Sequence, residues 1–138
     1  MGGTIDFSYD AANDVVIAIS HWHVETQGDL EPWYREWADY FEKNFPGRRM
    51  DMVVELTDFQ VSQAIASRWG EYRALIHKNF TRYSYRVHSN ARVRLFVNTS
   101  GVRFDASTNE AATIEDGIAA IQQERLRAGE GSRPPKAG

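Results

Sequence analysis

One run in this chain constrains the fold more than any other. Val15-Val16-Ile17-Ala18-Ile19 is apolar at every position, so a strand built from it presents oily side chains to both faces of a sheet. Such a strand belongs in a sheet interior rather than at a half-exposed position. Ile5, Phe7 and Tyr9 alternate with polar residues just before it, and Asp10 to Asp14 supplies turn chemistry between the two. The pair reads as a β-hairpin. Met52-Val53-Val54-Glu55-Leu56 is a second short strand, and Tyr83-Ser84-Tyr85-Arg86-Val87 and Arg92-Val93-Arg94-Leu95-Phe96-Val97 are two more, with His88 to Ala91 as their turn. Asn109 to Ala112 suits a short edge strand.

Helices fall between these runs. Gly28-Asp29 offers a cap, Glu31 and Pro32 suit a first turn, and Trp33, Trp37, Phe41 and Phe45 recur at helical spacing until Pro46-Gly47 stops the pattern. Ser62 is placed to cap a second helix with the stripe Ile65, Trp69, Tyr72, Ile76 and Phe80. Thr113 opens the last, with Asp116 three residues on and Ile114, Ile118 and Ile121 facing inward. The expected fold is therefore α/β: a single domain over residues 1–128 with a mixed sheet of about five strands and three to four helices, followed by a flexible tail at 129–138.

The chain has 138 residues, enough for one self-sufficient core, and it has no cysteine, which excludes disulfides, thiolate metal sites and cysteine catalysis. Its net charge is −3, against general nucleic-acid binding. The charge is unevenly spread: nine acids face two bases in residues 1–47, and ten face fourteen in residues 48–138. No apolar run approaches the ~18 residues of a membrane span, and no apolar run after a basic stretch marks a signal peptide. A cytoplasmic protein is expected.

The order of elements resembles the STAS-like domains, the sulfate transporter and anti-sigma-factor antagonist superfamily, in its SpoIIAA-like branch. The resemblance runs from about Ile5 to Ile121. It rests on the strand Met52 to Phe59, the helix opened by Ser62, the strand Arg92 to Val97 and the closing helix Ile114 to Ile121. In place of the family's Asp-Ser-Ser-Gly loop stands Asp58-Phe59-Gln60-Val61-Ser62-Gln63, which leaves Ser62 as the sole counterpart of the phosphorylatable serine. The resemblance implies a non-enzymatic regulatory or scaffold module of bacterial type, working through an unknown protein partner or as a homodimer, without a cofactor.

Asp58, Ser62, Thr99 and Ser100 are accordingly the candidates for partner contact or phosphorylation. A phosphate on Ser62 would meet the unpaired N–H groups of a helix start, while the same hydroxyl also suits an ordinary cap. Thr99 and Ser100 sit in Asn98-Thr99-Ser100-Gly101, a strand-end loop that suits either a small anion or a tight turn.

Trp33, Trp37 and Trp69 are candidates for a ligand pocket, in a chain with four Trp, six Tyr and seven Phe. The alternative function is therefore a small-molecule or lipid-binding module with an aromatic pocket. Against it stands the plain reading that such rings fill a core. His21 and His23 share one strand face and invite zinc, with Glu25, His77 or His88 as a third ligand, but their spacing lacks a diagnostic motif, and no metal is expected. Arg82, Arg86, Arg92, Arg94 and Arg103, interleaved with Tyr83 and Tyr85, read as the solvated face of late strands. Glu55, Asp58, Ser62 and the histidines supply catalytic raw material, yet no nucleophile elbow or Gly-rich loop is present, and an enzyme is not expected.

Overall fold

The structure, a computed structural model, describes residues 3–87 and 109–129. Within them lies a mixed α/β domain. A hairpin, β1 (Thr4–Asp10) and β2 (Val15–Val24), is followed by α1 (Leu30–Asn44), β3 (Met50–Val61), α2 (Ala66–Phe80), β4 (Thr81–Val87), the two-residue β5 (Glu110–Ala111) and α3 (Ile114–Arg127). The sheet order is β1-β2-β3-β4-β5, antiparallel between β1 and β2 and parallel thereafter. The expected strand Arg92–Val97, its turn from His88, the Asn98–Gly101 loop and residues 130–138 of the expected tail lie outside the described residues.

Helices cover both faces of the sheet, as the apolar run at Val15–Ile19 requires. α1 and α2 lie on one face, where Val16, Ala18, Trp22, Met52, Val54 and Phe59 meet Trp33, Trp37, Phe41, Trp69 and Ile76 in the main core. α3 lies on the other, over Val15 and Val53 with Tyr83 and Tyr85 alongside. Gly117 makes that second contact close: a Cβ there would come within 3.0–3.1 Å of the Val53 methyl groups. Thr113 caps α3 as its sequence suggests, its Oγ accepting the Asp116 N–H at 3.1 Å.

Two register shifts set which side chains face which way. Between Ile19 and His21 the pairing of β2 with β3 jumps from Glu55 to Asp58, so Ser20 stands opposite two residues of β3. Between Met50 and Met52 the pairing of β3 with β4 jumps from Thr81 to Ser84, so Asp51 stands opposite Arg82 and Tyr83. Each is a β-bulge, which reverses the in-out alternation beyond it. The first carries β3 past the expected end at Leu56, with Phe59 and Val61 buried in the main core. Asp58 is thus a strand residue, as in the Met52–Phe59 strand of the STAS-like resemblance, and not part of a loop in place of Asp-Ser-Ser-Gly.

The second bulge is filled by a buried carboxylate. Asp51, with a side chain 2% exposed, accepts from Arg82 Nε and Nη2 at 2.9 Å, from the Tyr83 N–H at 3.1 Å and from Arg125 Nε at 2.8 Å. Arg125 then spends its Nη groups on the carbonyls of Asn13 and Asp14, each at 2.8 Å. One ion cluster therefore joins β3, β4, α3 and the hairpin turn. The turn itself holds Asp14 at φ 54°, a left-handed conformation that the carbonyl contacts and the 2.6 Å bond from Tyr9 Oη help to fix. Despite the cost of burial, Arg82 and Arg125 hold the Asp51 carboxyl below its ordinary range.

Asp29 departs from the expected cap in an informative way. Its carboxylate turns back to accept the N–H groups of Glu25 and Thr26 at 2.9 and 3.0 Å, tying the end of β2 to the turn that starts α1. Those bonds, the Glu25 N–H foremost, lower its pKa to about 2.

Arg125→Met should cost about 3 kcal/mol or more, because it strips a buried carboxylate of one partner and leaves two carbonyls without donors; urea denaturation measures it. Asp29 and Asp51 titrate lower in the folded chain than in the unfolded one, so both stabilise fully above about pH 5 and lose that contribution as the pH falls. In Asp29→Asn the loss of stability between about pH 4 and pH 2 should be shallower than in the parent.

Candidate functional site

The main core is not solid. Between the sheet and the pair α1–α2 lies a cavity of about 50 Å³, walled by Trp33 and Trp37 from α1, Trp69, Arg73, Ile76 and His77 from α2, and Ser20, Met52, Val54, Leu56, Phe59, Thr81, Ser84 and Arg86 from the sheet. A water needs about 10–15 Å³ on this measure, so the space takes a few waters or a guest of a handful of heavy atoms.

The side chains reach it by simple local rules. Trp33 and Trp37 are one helical turn apart and share a face of α1, with ring centroids 6.0 Å apart. Trp69 lies 5.8 Å from Trp33 and 5.6 Å from Phe59, which closes an aromatic arc. Ser84 and Arg86 alternate onto the same face of β4 beyond its bulge. α2 ends at Phe80 and β4 begins at Thr81 without a loop. The Thr81 hydroxyl donates to the His77 carbonyl at 3.0 Å and so fixes the corner.

Several polar groups of the wall lack partners among the described residues. The indole N–H groups of Trp33, Trp37 and Trp69, the Ser20 hydroxyl and Arg86 Nε are buried with no hydrogen-bond partner among the described residues. Trp22, outside the cavity, shares that condition. Buried polar groups are nearly always paired, and an orphan costs about 1–3 kcal/mol. Four such donors and a hydroxyl around one void is a concentration of unmet hydrogen-bonding capacity.

Two of the wall residues are cations. Arg86 is 5% exposed and Arg73 8%. Arg73 has its guanidinium over Trp69, 5.8 Å from the ring centre, and burial lowers its pKa to about 10. Among the described residues Arg86 reaches only Ser84: its Nη1 and Nη2 lie 3.3 Å from the hydroxyl, and Nη2 lies 3.2 Å from the carbonyl. Burial, with the Arg73 charge nearby, pushes the Arg86 pKa well down.

This corrects the expectation that the late arginines form a solvated face. Arg82 is bound to Asp51, and Arg86 points into the protein because α1 and α2 cover its side of β4 while α3 covers the side of Tyr83 and Tyr85. Arg92, Arg94 and Arg103 lie outside the described residues.

The remaining candidates lie elsewhere. His21 and His23 do share a face, the one opposite the cavity, beyond the reach of α3. There His21 Nδ1 and His23 Nε2 each lie 3.2 Å from Asp58, and His21 Nε2 lies 3.3 Å from Asp6. The two imidazoles hold the exposed Asp58 carboxyl below its usual pKa. Among the described residues no three His, Asp or Glu side chains are disposed to hold a metal. His77 belongs to the cavity on the other face, and His88 lies outside the described residues.

Ser62 does not cap α2. It precedes a 3-10 turn (Gln63–Ile65), its hydroxyl makes no capping bond, and α2 begins only at Ala66. Its backbone N–H instead pairs with the Val24 carbonyl at 2.8 Å. Asp58 is four residues earlier, on the His21 face. Thr99 and Ser100 lie outside the described residues. A larger depression of about 360 Å³ opens between the C-terminal ends of α1 and α2, lined by Tyr34, Phe45, Arg48 and Phe80 among others. No buried orphan polar atom belongs to its lining.

Neither a known family model nor a curated protein matches this sequence. The chemistry of the cavity wall therefore carries the functional argument. Among the described residues no helix is long and apolar enough to cross a membrane.

Ser20→Ala removes an orphan hydroxyl from the wall and should raise stability by about 1 kcal/mol. A thermal or urea midpoint reports the sign. A loss instead would mean that Ser20 has a partner in solution.

Proposed function

We propose that this domain is a small-molecule-binding module, non-enzymatic, whose guest sits in the cavity between the sheet and α1–α2. The observation that supports it is the coincidence of a void with three indole N–H groups and a buried guanidinium Nε that have no acceptors among the described residues. A core selected for stability alone fills such a space and avoids such orphans. Binding sites are concave, largely apolar, and carry a few convergent polar groups, which describes this wall.

The regulatory or scaffold reading implied by the STAS-like element order draws less from the described surface. Its exposed large apolar residues are Tyr9, Leu75 and Leu126, one each on β1, α2 and α3. The serine that would carry phosphorylation control stands before a 3-10 turn, and its hydroxyl makes no capping bond. Kinship with the STAS-like domains is proposed on element order, and a cytoplasmic setting as what that kinship implies.

Val54→Ile tests the cavity directly. In a filled core the added methylene costs about 1–3 kcal/mol; projecting into this space it should instead leave stability unchanged or raise it by about 0.8 kcal/mol. The same variant should weaken the response of tryptophan emission to a fragment library by tenfold or more, since three of the four tryptophans line the void. A destabilised Val54→Ile, together with no fragment that shifts the parent's emission, would overturn the reading.

A further inference from the structure

The guest's chemistry is legible in Arg86. We infer that the cavity takes a small monocarboxylate, its carboxylate on the Arg86 guanidinium and its apolar body among Trp33, Trp69 and Phe59. This rests on the cavity being a binding site, and it adds charge and shape to that proposal.

Arg86 is the reason. Taking an arginine out of water is expensive, and the cost is normally met by a carboxylate partner. Elsewhere in this chain the rule holds: Arg125, equally buried, sits on Asp51 at 2.7–2.8 Å. Arg86 has no such partner among the described residues. Glu110, across from it on β5, contributes favourable charge from outside salt-bridge distance. Among the described residues the hydrogen bonds of Arg86 run to Ser84, on its own strand, at 3.2–3.3 Å, and Nε has no acceptor. Arg73 adds a second positive charge to the same wall. An anion that arrives at Nε thus completes a pair that the fold leaves half made.

Shape and polarity narrow the anion. The guanidinium edge is a flat fork that matches the two oxygens of a carboxylate in one plane. The rest of the wall is mostly aromatic and aliphatic, with single N–H donors at the indoles. A phosphate, with four oxygens and up to two charges, would strand oxygens against Val54, Leu56 and Ile76. A carboxylate with a short apolar body leaves none. About 50 Å³ suits an acid of about five heavy atoms, at 10–15 Å³ for each water-sized group.

The test titrates the full chain with propionate, its neutral isostere propionamide, and inorganic phosphate, read by calorimetry and tryptophan emission. Propionate is expected to bind at least tenfold more tightly than propionamide and than phosphate. Arg86→Gln should abolish that preference while leaving propionamide affinity within about twofold. Should Arg86→Gln fail to fold, a crystal of the parent with 3-bromopropionate decides, the bromine locating the guest and the carboxylate lying within hydrogen-bond distance of Arg86. Equal binding of acid and amide, a preference for phosphate, or a preference that survives in Arg86→Gln overturns the carboxylate inference and leaves the binding module intact. If propionate, propionamide and the fragment library all fail to bind, both fall together.

Discussion

The fold depends on one buried carboxylate. Asp51 lies at the bulge between β3 and β4 and gathers two arginines, one from β4 and one from α3, and through Arg125 it reaches the carbonyls of the hairpin turn. Hydrophobic contact alone would let α3 slide on the sheet, because Val15, Val53 and Ile121 form a small cluster with no directional bonds. The ion cluster supplies the direction. It fixes where α3 crosses and which residues of β4 look toward α1 and α2. The placement of Ser84 and Arg86 in the cavity wall follows from it.

The two faces of the sheet thus treat arginine in opposite ways. On the α3 face a buried guanidinium has a carboxylate, two carbonyls and good geometry. On the α1–α2 face a buried guanidinium has, among the described residues, a serine from its own strand and no acceptor at Nε. The contrast is more telling than either residue alone, since among the described residues one buried cation has a carboxylate and the other has none. Local departures from good packing and pairing concentrate where a protein does its work.

Much of the architecture was legible because it depends on short-range pattern. The two-faced apolar run of β2, the Trp33–Trp37–Phe41 stripe and the Thr113 cap each state their outcome within a few residues. The site was only half legible. Trp33, Trp37 and Trp69 stand out by residue type, but whether they fill or enclose space depends on how closely helices approach the sheet, which no local pattern records. Arg86 was misplaced for a sharper reason. Alternation assigns Tyr83 and Tyr85 to one face of β4 and Ser84 and Arg86 to the other; taking the tyrosine face as buried makes the arginine face appear solvated. Here both faces are covered. Asp58 and Ser62 moved because a bulge lengthens β3 and a 3-10 turn defers α2 to Ala66, neither of which has a reliable sequence signature.

The missing loop between α2 and β4 has a mechanical consequence. Trp69, Arg73 and His77 on one wall, and Thr81, Ser84 and Arg86 on the floor, belong to a single unbroken stretch of chain whose corner is pinned by Thr81. That stretch forms a bracket of continuous chain. The opposing wall, Trp33 and Trp37, arrives on α1, which is joined to its neighbours by connecting segments at both ends and moored at its start by the Asp29 carboxylate. The width of the space between them is therefore set by how α1 packs on the bracket, and the Asp29 anchor at residues 25–29 fixes one end of that packing, remote from the polar groups of the wall.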